Sequence, residues 1–232
     1  MQLAKLLWSS VGKKLLTGIT GLGLCGFVAV HLTGNLLLLT DNPDPFNEYA
    51  HFLHTVGHGK VLYLMELGLI AFFLTHIITG VSIALNKIRS RPISYRKDGN
   101  AGGNSQKTLS SLSMAFTGLL LLVFVVLHVK HFKFGPGMEE GYQTVLHGET
   151  VRDLYKFVIE EFGKFHMVAL YTVTMLMLGL HLRHGFWSAF QSLGIRFPKF
   201  EIAIHQAGLL FSLLMSFGFL AVPLIVFAKS LK

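Results

Sequence analysis

The sequence predicts an all-α integral membrane protein whose five transmembrane helices form a bundle. Of its 232 residues, 52% are hydrophobic and only 14% are charged, and the apolar residues collect in five long runs. A helix needs about 20 apolar residues to cross a hydrocarbon core of roughly 30 Å. Each run is long enough to do so, and little sequence remains for a folded soluble domain. We therefore predict one membrane domain over residues 1–232, with spans at about 15–39, 61–86, 109–132, 166–190 and 202–227.

The connections between the spans are predicted to be interfacial or polar. Residues 1–14 mix Leu, Trp and Lys, which is typical of a helix in the membrane interface. Residues 96–106 are rich in Gly and Asn and indicate a flexible loop. In the third connection, apolar residues recur with the period of an amphipathic helix, and Thr150 with Asp153 resembles a capping box at its start. This helix is expected to lie along the outer membrane surface with an apolar stripe of Val151, Leu154, Tyr155, Val158, Ile159 and Phe162.

The distribution of Lys and Arg predicts the orientation of the chain. One side carries twelve of these residues, within 1–14, 87–107 and 183–199, and the opposite side carries seven. The positive-inside rule then places the N-terminus in the cytoplasm and the C-terminus outside. The net charge of +8 does not indicate a nucleic-acid partner, because the positive residues cluster beside the spans, where they set orientation and meet anionic lipid.

Four histidines lie one each in four of the spans, and their depths form two pairs. At about 1.5 Å per residue, His31 and His128 lie within about 6–12 Å of the outer end of their spans. His76 and His181 lie about 14–15 Å from the inner end of theirs. Ionisable residues inside a membrane are functional candidates, and two facing histidine pairs across a helix bundle are what two bis-histidine haems require. The pattern predicts a membrane cytochrome b with an outer haem on His31 and His128 and an inner haem on His76 and His181.

Alternatives to this ligand set are present nearby. His184 could replace His181, and His131 could replace His128, but the latter member of each pair lies deeper in its apolar run. A single transmembrane histidine is more often a hydrogen-bonded packing residue or part of a proton route. Three glycines one turn or less from the histidines would let the edge of a macrocycle approach the backbone: Gly34, Gly80 and Gly185.

The lone cysteine narrows the choice of cofactor. Cys25 lies in the middle of the first span, and no second cysteine exists in the sequence. One cysteine excludes an internal disulfide, a Cys-x-x-Cys-His haem attachment and an iron–sulfur cluster held by this chain alone. Any haem would therefore be noncovalently held haem b, and Cys25 is predicted to be a packing residue.

At these residues the chain resembles the five-helix, di-haem cytochrome b membrane-anchor subunits of succinate:quinone oxidoreductases, that is, succinate dehydrogenases and fumarate reductases. The resemblance covers nearly the whole chain. It rests on HLTGN at 31–35, on Glu66 ten residues before His76, and on HLRHGFWSAFQSLG at 181–194. In this family, the first and third helices hold the distal haem, and the second and fourth hold the proximal haem. The same pairing follows from the depths of the four histidines in their spans.

The resemblance implies a subunit that does not itself act on succinate. It would anchor a flavoprotein subunit and an iron–sulfur subunit to the bacterial inner membrane and carry electrons through two haem b groups to a membrane quinone. Menaquinone is the usual quinone of di-haem, single-anchor members. The two partner subunits are expected on the basic cytoplasmic face, at residues 87–107 and 183–199.

Three further residues are predicted to serve these cofactors. Glu66 is the only carboxylate in a predicted span, about 9 Å from its outer end, and the hypothesis is that it exchanges protons with the quinone. A hydrogen bond to a nearby histidine or hydroxyl is the alternative role of Glu66. Arg183 and Lys14 could bind haem propionates at the inner side, or instead set orientation or contact a partner subunit. Weaker candidates for the quinone site are Glu48, His51 and His54.

Other assignments keep some of these features. A cytochrome subunit of a hydrogenase, formate dehydrogenase or nitrate reductase would share the di-haem bundle with another soluble partner. A histidine-rich metal transporter would line an ion path with histidines, Glu66 and Asn35. A purely structural anchor would bind no haem. The pairing of four histidines argues against the last two assignments.

Overall fold

The computed structural model describes residues 2–90, 109–195 and 198–232. The protein is mostly helical (83%), and five of its helices are long and apolar enough to cross a membrane. The prediction of five such helices is therefore confirmed. Of the predicted docking residues, those at 91–107 and 196–197 lie outside the described residues, as does the predicted polar loop at 96–106. The helices are α1 (Gln2–Leu7), α2 (Ser10–Asn35), α3 (Asp44–Thr55), α4 (Lys60–Arg89), α5 (Leu109–His128), α6 (Leu154–Phe162), α7 (Phe165–Ser192) and α8 (Pro198–Ser230).

The first long helix, α2, begins and ends with local signals in the sequence. The side chain of Ser9 accepts a hydrogen bond from the backbone N–H of Gly12 at 3.0 Å, which caps the start of α2. At its other end, α2 tightens into a 3₁₀ turn over Leu36–Leu39. Cys25 is buried on α2 in a cluster with Leu32 and Leu182, in the packing position predicted for it.

The first connection contains a helix that the sequence analysis did not predict. Helix α3 starts with Pro45 in its first turn, where the missing N–H of proline costs nothing. Phe46 and Asn47 of α3 are buried. The chain leaves α3 through consecutive left-handed residues, including His58 with a φ of 56°, and enters α4 directly.

The third connection differs from the predicted amphipathic helix at its start. Strands β1 (Gln143–Leu146) and β2 (Glu149–Arg152) form an antiparallel hairpin, with Gln143 opposite Arg152. Its two-residue loop, His147–Gly148, has φ values of 52° and 85°, as a type I′ turn requires. Thr150 and Val151 therefore lie in β2 and not in a helix. The hairpin is also the one departure from an all-α fold in the part of the chain that the structure describes.

The amphipathic helix itself is present as α6. Asp153 caps it by accepting a hydrogen bond from the N–H of Lys156 at 2.9 Å. Its buried face consists of Phe157, Val158, Glu161 and Phe162. Asp153 is thus itself the N-cap. The predicted capping box, in which Thr150 would be the N-cap, is absent because Thr150 pairs in β2.

The long helices pack unequally. Helix α7 packs against α2, α5 and α8, and α2 also packs against α4. The described parts of α4 and α5 have little direct contact with each other, and Thr79 is the only residue buried in α4. Helices α3 and α6, the hairpin and the C-terminal end of α8 gather at one end of the molecule, which we call the hairpin end. The opposite end, with α1 and the C-termini of α4 and α7, is the N-terminal end.

Candidate functional site

The structure brings four histidine side chains together as two facing pairs. The rings of His31 on α2 and His128 on α5 have centroids 5.9 Å apart and are inclined by 84°. The rings of His76 on α4 and His181 on α7 have centroids 6.4 Å apart and are inclined by 68°. These are the two pairs that the depth argument predicted. The first pair lies nearer the hairpin end and the second nearer the N-terminal end.

The ring separations leave space for one metal ion in each pair. A metal–imidazole bond is about 2 Å long, so two imidazoles on opposite sides of one metal ion have centroids roughly 6 Å apart. Both observed separations match this value. Among the described residues, no group of three or more His, Cys, Asp or Glu side chains could hold a metal ion. Two imidazoles alone suit the axial positions of a haem, whose macrocycle supplies the remaining ligands.

Aromatic and polar neighbours hold the pair at the hairpin end. The hydroxyl of Tyr171 on α7 lies 2.7 Å from Nδ1 of His128. Phe27 stacks on the ring of His31 with an interplanar angle of 13°. The Asn35 amide donates to the backbone carbonyl of His31 at 2.8 Å and lies 3.4 Å from its Nε2. The contact at Nδ1 leaves Nε2 of His128 available to a metal.

The ring of His76 is held by α2. Its Nδ1 lies 3.2 Å from the backbone carbonyl of Thr17 and 3.4 Å from the hydroxyl of Thr20. A carbonyl can only accept, so Nδ1 carries the hydrogen and Nε2 keeps its lone pair for a ligand. A Cβ atom added to Gly21 would lie 3.2 Å from Cε1 of His76, so the ring packs directly on the α2 backbone.

The ring of His181 repeats this arrangement on α5. Its Nδ1 lies 3.2 Å from the hydroxyl of Thr117, and a Cβ atom on Gly118 would lie 3.4 Å from its Cε1. Each ring of this pair thus rests against a Thr-Gly dipeptide of a neighbouring helix, at 20–21 and at 117–118. These supports were not predicted, because Thr-Gly also occurs at 17–18, 33–34 and 79–80 and so does not by itself mark a contact with a histidine.

The two pairs are separated along the helix axes. On α2, His31 lies eleven residues after Thr20, which contacts His76. On α5, His128 also lies eleven residues after Thr117, which contacts His181. At 1.5 Å per residue, both counts place the pairs about 16 Å apart.

The three glycines predicted to line a macrocycle slot have different surroundings. A Cβ atom on Gly80 or Gly185 would meet no atom within 4 Å, so both face open space. A Cβ atom on Gly34 would lie 2.5 Å from the ring of Tyr49. Gly34 therefore accommodates α3, and the expectation for this glycine was wrong.

Neither of the two predicted propionate ligands is buried, but a neighbouring lysine is. Lys14 and Arg183 are both exposed. Lys13 is buried and donates to the hydroxyl of Ser82 on α4 at 2.8 Å. Lys13 precedes Thr17 by four residues and so lies on the face of α2 that supports His76. No spacing in the sequence marks Lys13, because the role of Thr17 itself follows only from its contact with His76.

Glu66 forms an ion pair with Lys133, just beyond the end of α5. Its side chain is 30% exposed and that of Lys133 is 42% exposed. The pair bridges α4 and the segment after α5 at the hairpin end, so the partner is a lysine and not the histidine or hydroxyl considered from the sequence. The proton-exchange role of Glu66 stays a prediction.

The remaining histidines and Glu48 lie outside the two pairs. Nε2 of His131 lies 2.9 Å from a carboxylate oxygen of Glu161 on α6. His184 is partly buried on α7, one turn beyond His181. Two of the weaker quinone-site candidates on α3 pair with residues of the hairpin: Glu48 lies 3.2 Å from His147, and His51 lies 3.5 Å from Glu149. The third, His54, is exposed.

Taken together, the site consists of two pairs of partly buried imidazoles, and each pair has at least one ring that contacts a polar group of a neighbouring helix. Such a pair would suit a haem iron, and these contacts would keep the rings in place during a change of one unit of charge. Comparison with protein-family models, curated proteins and solved structures found no match to this chain.

Proposed function

We propose that this chain is the membrane anchor and di-haem cytochrome b of a succinate:quinone oxidoreductase. It would carry electrons between an iron–sulfur subunit and a membrane quinone. The observation that supports this most directly is the pair of facing histidine couples, about 16 Å apart on helices long enough to cross a membrane. One couple would serve each side of the membrane.

His31 with His128 and His76 with His181 would hold the two haem b groups. Each haem, when bound, supplies a centre that accepts and returns one electron. The protein contributes the orientation of the ligands: Tyr171, Thr117 and the carbonyl of Thr17 engage Nδ1 and leave Nε2 for the metal. An aromatic ring stacks on each member of the couple at the hairpin end, Phe27 on His31 and Phe124 on His128.

A cation is needed where haem propionates meet the membrane surface. Lys13 is the described cation that lies on the ligand-supporting face of α2, one turn from Thr17. We therefore assign the inner propionates to Lys13 before Lys14 or Arg183, whose side chains are exposed. An ammonium group binds a carboxylate as a point charge, and its bond to Ser82 places it beside α4.

The N-terminal end is the expected docking face for the flavoprotein and iron–sulfur subunits. Exposed cations of this end include Lys5, Lys14, Lys87, Arg89 and Arg183. The positive-inside rule places this end in the cytoplasm of a bacterial cell, where succinate is available. The hairpin end would then face the outside. Menaquinone is the expected electron carrier in the lipid.

The test is a reduced-minus-oxidised spectrum of the complex purified from its membrane, with a pyridine haemochrome measurement of haem per chain. Succinate and then dithionite serve as reductants. Two b-haems per chain, at least one of them reducible by succinate, would support the proposal. Two haems that only dithionite reduces would fit either low-potential haems in this complex or the cytochrome of another respiratory oxidoreductase, such as a hydrogenase, formate dehydrogenase or nitrate reductase. A colourless protein would exclude both and favour metal transport.

A further inference from the structure

A pocket of 180 Å³ lies at the hairpin end, between α6, the 3₁₀ turn after α2 and the C-terminal part of α8. Its lining is mostly apolar and consists of Leu38, Tyr155, Ile159, Ile225 and Val226, together with Lys229 and Ser230. Leu38 and Val226 are buried, whereas Ile225 is 40% exposed. The pocket is therefore open on the side of Ile225, and in a membrane this side of α8 would face hydrocarbon chains.

A pair of opposite charges borders the pocket. The Lys229 ammonium donates to a carboxylate oxygen of Asp41 at 2.7 Å and to the backbone carbonyl of Leu39 at 3.3 Å. The Lys229 side chain is 49% exposed and that of Asp41 is 93% exposed. An ammonium has three donors and a carboxylate about four acceptor positions, so this pair saturates neither group. Both groups can therefore bind a further charged partner at the membrane surface.

The apolar wall and the charged pair follow each other in depth. Lys229 lies four residues after Ile225 on α8, on the same face and about 6 Å nearer the end of the helix. The hydroxyl of Tyr155 donates to the backbone carbonyl of Thr40 at 3.0 Å, which ties α6 to the connection that carries Asp41. Tyrosine and lysine at the end of a span are typical of the membrane–water interface. This order, apolar inside and charged outside, is that of an acyl chain and its head group.

We propose that this pocket binds phosphatidylethanolamine. Part of one acyl chain would fill the apolar pocket, the phosphate would bind Lys229, and the ethanolamine ammonium would bind Asp41. A zwitterionic head group matches both members of the charged pair, whereas phosphatidylglycerol would bring a phosphate for Lys229 but no cation for Asp41. The lipid would join α6, α8 and the connection after α2. This inference goes beyond the proposed function, because it needs insertion of the long helices into a membrane but neither haem nor a partner subunit.

The position of the lipid is tested by photolabelling the purified complex with a phosphatidylethanolamine that carries a diazirine on one acyl chain. Label is expected on the segments 155–159 and 222–226. Ile225→Trp should lower this label about 10-fold, because the indole displaces about two methylene groups of the chain from the pocket. Leu224→Trp is the matched control, because Leu224 is the neighbouring residue, is 43% exposed and does not line the pocket.

The head group is tested by native mass spectrometry of the delipidated complex, with palmitoyl-oleoyl phosphatidylethanolamine or phosphatidylglycerol added. Asp41→Asn should weaken binding of the ethanolamine lipid about 10-fold and leave binding of the glycerol lipid equal or stronger. Lys229→Gln should weaken binding of both lipids about 10-fold, because both carry the phosphate. Asp44→Asn and Lys232→Gln are the controls, because these exposed charges do not line the pocket.

The results separate the parts of the proposal. Equal label at the pocket in Ile225→Trp and Leu224→Trp overturns the site. Tighter binding of the glycerol lipid in the wild type, or ethanolamine-lipid binding that Asp41→Asn leaves unchanged, overturns the choice of head group. Equal binding in Lys229→Gln and Lys232→Gln overturns the phosphate contact. A complex without haem would overturn the proposed function, while both lipid measurements would still decide this proposal.

Discussion

The hydroxyl oxygen of Tyr171 lies 2.7 Å from Nδ1 of His128. A residue of α7 thus holds the imidazole of α5 that faces His31 on α2. Tyr171 is only 7% exposed, and the rings of Phe124 and Phe162 contact it. When Nε2 binds a metal, Nδ1–H donates to this oxygen. Such a bond fixes the ring and raises the basicity of the ligand.

Tyr171→Phe should therefore lower the haem affinity and change the midpoint potential of one haem site only. Loss of the acceptor makes His128 a less basic ligand, which stabilises the ferric state less and raises the midpoint potential of that haem. Haem affinity at this site should fall about 10- to 100-fold. Potentiometric titration of the purified complex, followed in its visible spectrum, measures both effects.

Tyr155→Phe provides the matched control for this change. The hydroxyl of Tyr155 donates to the backbone carbonyl of Thr40 at the hairpin end and touches neither histidine pair. Both midpoint potentials should be unchanged in this variant. Equal shifts in the two variants, or a shift of both haems in Tyr171→Phe, would argue against the ligand role of His128.

Substitutions of the four paired histidines should divide into two groups, one for each haem. His31→Ala and His128→Ala are expected to remove the same haem, because a two-imidazole site fails when either ligand is lost. His76→Ala and His181→Ala should remove the other haem. A pyridine haemochrome count should fall from two haems to about one in each case, and the remaining spectrum should be identical within a pair.

The nearby histidines are the controls for this series. His131→Ala and His184→Ala should keep both haems, because His131 contacts Glu161 and His184 belongs to neither pair. Loss of a haem in His184→Ala with retention in His181→Ala would reverse the choice between these two ligands.

The five long helices and the two histidine pairs could be predicted from the sequence, because both depend only on the regular geometry of the α-helix. Apolar runs locate the five long helices, and counting residues along them predicts that His31 meets His128 and that His76 meets His181. The counting works because an α-helix rises by a constant distance per residue. Predicting these pairs requires no knowledge of contacts between elements that are distant in the sequence.

The parts that sequence analysis missed depend on contacts between elements. The hairpin replaces the first turn of the predicted amphipathic helix, because strand pairing beyond His147 and Gly148 outweighs the helical period there. Lys13 and Tyr171 can be recognised as site residues only from their contacts with α4 and α5 in the folded protein. The buried position of Glu161 could not be predicted, because its partner His131 belongs to another element thirty residues away.

A branched side chain in place of Gly21 should displace His76 and so cause loss of the inner haem. A Cβ atom there already lies 3.2 Å from Cε1 of His76, so the branched side chain of Gly21→Val would displace the ring. Haem content should fall toward one per chain, with the haem at His31 and His128 unaffected. Gly26→Val on the same helix is the control, because a Cβ atom there meets nothing within 4 Å. Equal haem loss in both variants would indicate a general effect of substituting glycines in α2.

Glu66→Gln should slow quinone turnover, because the sequence predicts that this carboxylate exchanges protons with the quinone. The partly exposed Glu66–Lys133 pair should contribute no more than about 1 kcal/mol to stability, so the variant should still fold. Naphthoquinol-dependent haem reduction in the purified complex measures the loss, and Glu160→Gln, at an exposed position on α6, is the control. An unchanged rate in Glu66→Gln with both haems retained would exclude the proton role of Glu66.

The carboxyl of Glu161 should also make stability depend on pH. Burial alone would raise its pKa, but the hydrogen bonds and charges of Lys164 and His131 together lower the pKa below its usual value. A carboxyl whose pKa is lower in the folded state stabilises that state above its unfolded pKa of about 4.3, and this contribution disappears as pH falls through the folded pKa. Glu161→Gln should therefore cost about 1–3 kcal/mol at pH 7, and the difference from wild type should shrink below about pH 4. Thermal unfolding in detergent at the two pH values measures this, with Glu160→Gln as the exposed control. A difference that stayed constant or grew on acidification would mean that the carboxylate is not stabilised by its two partners.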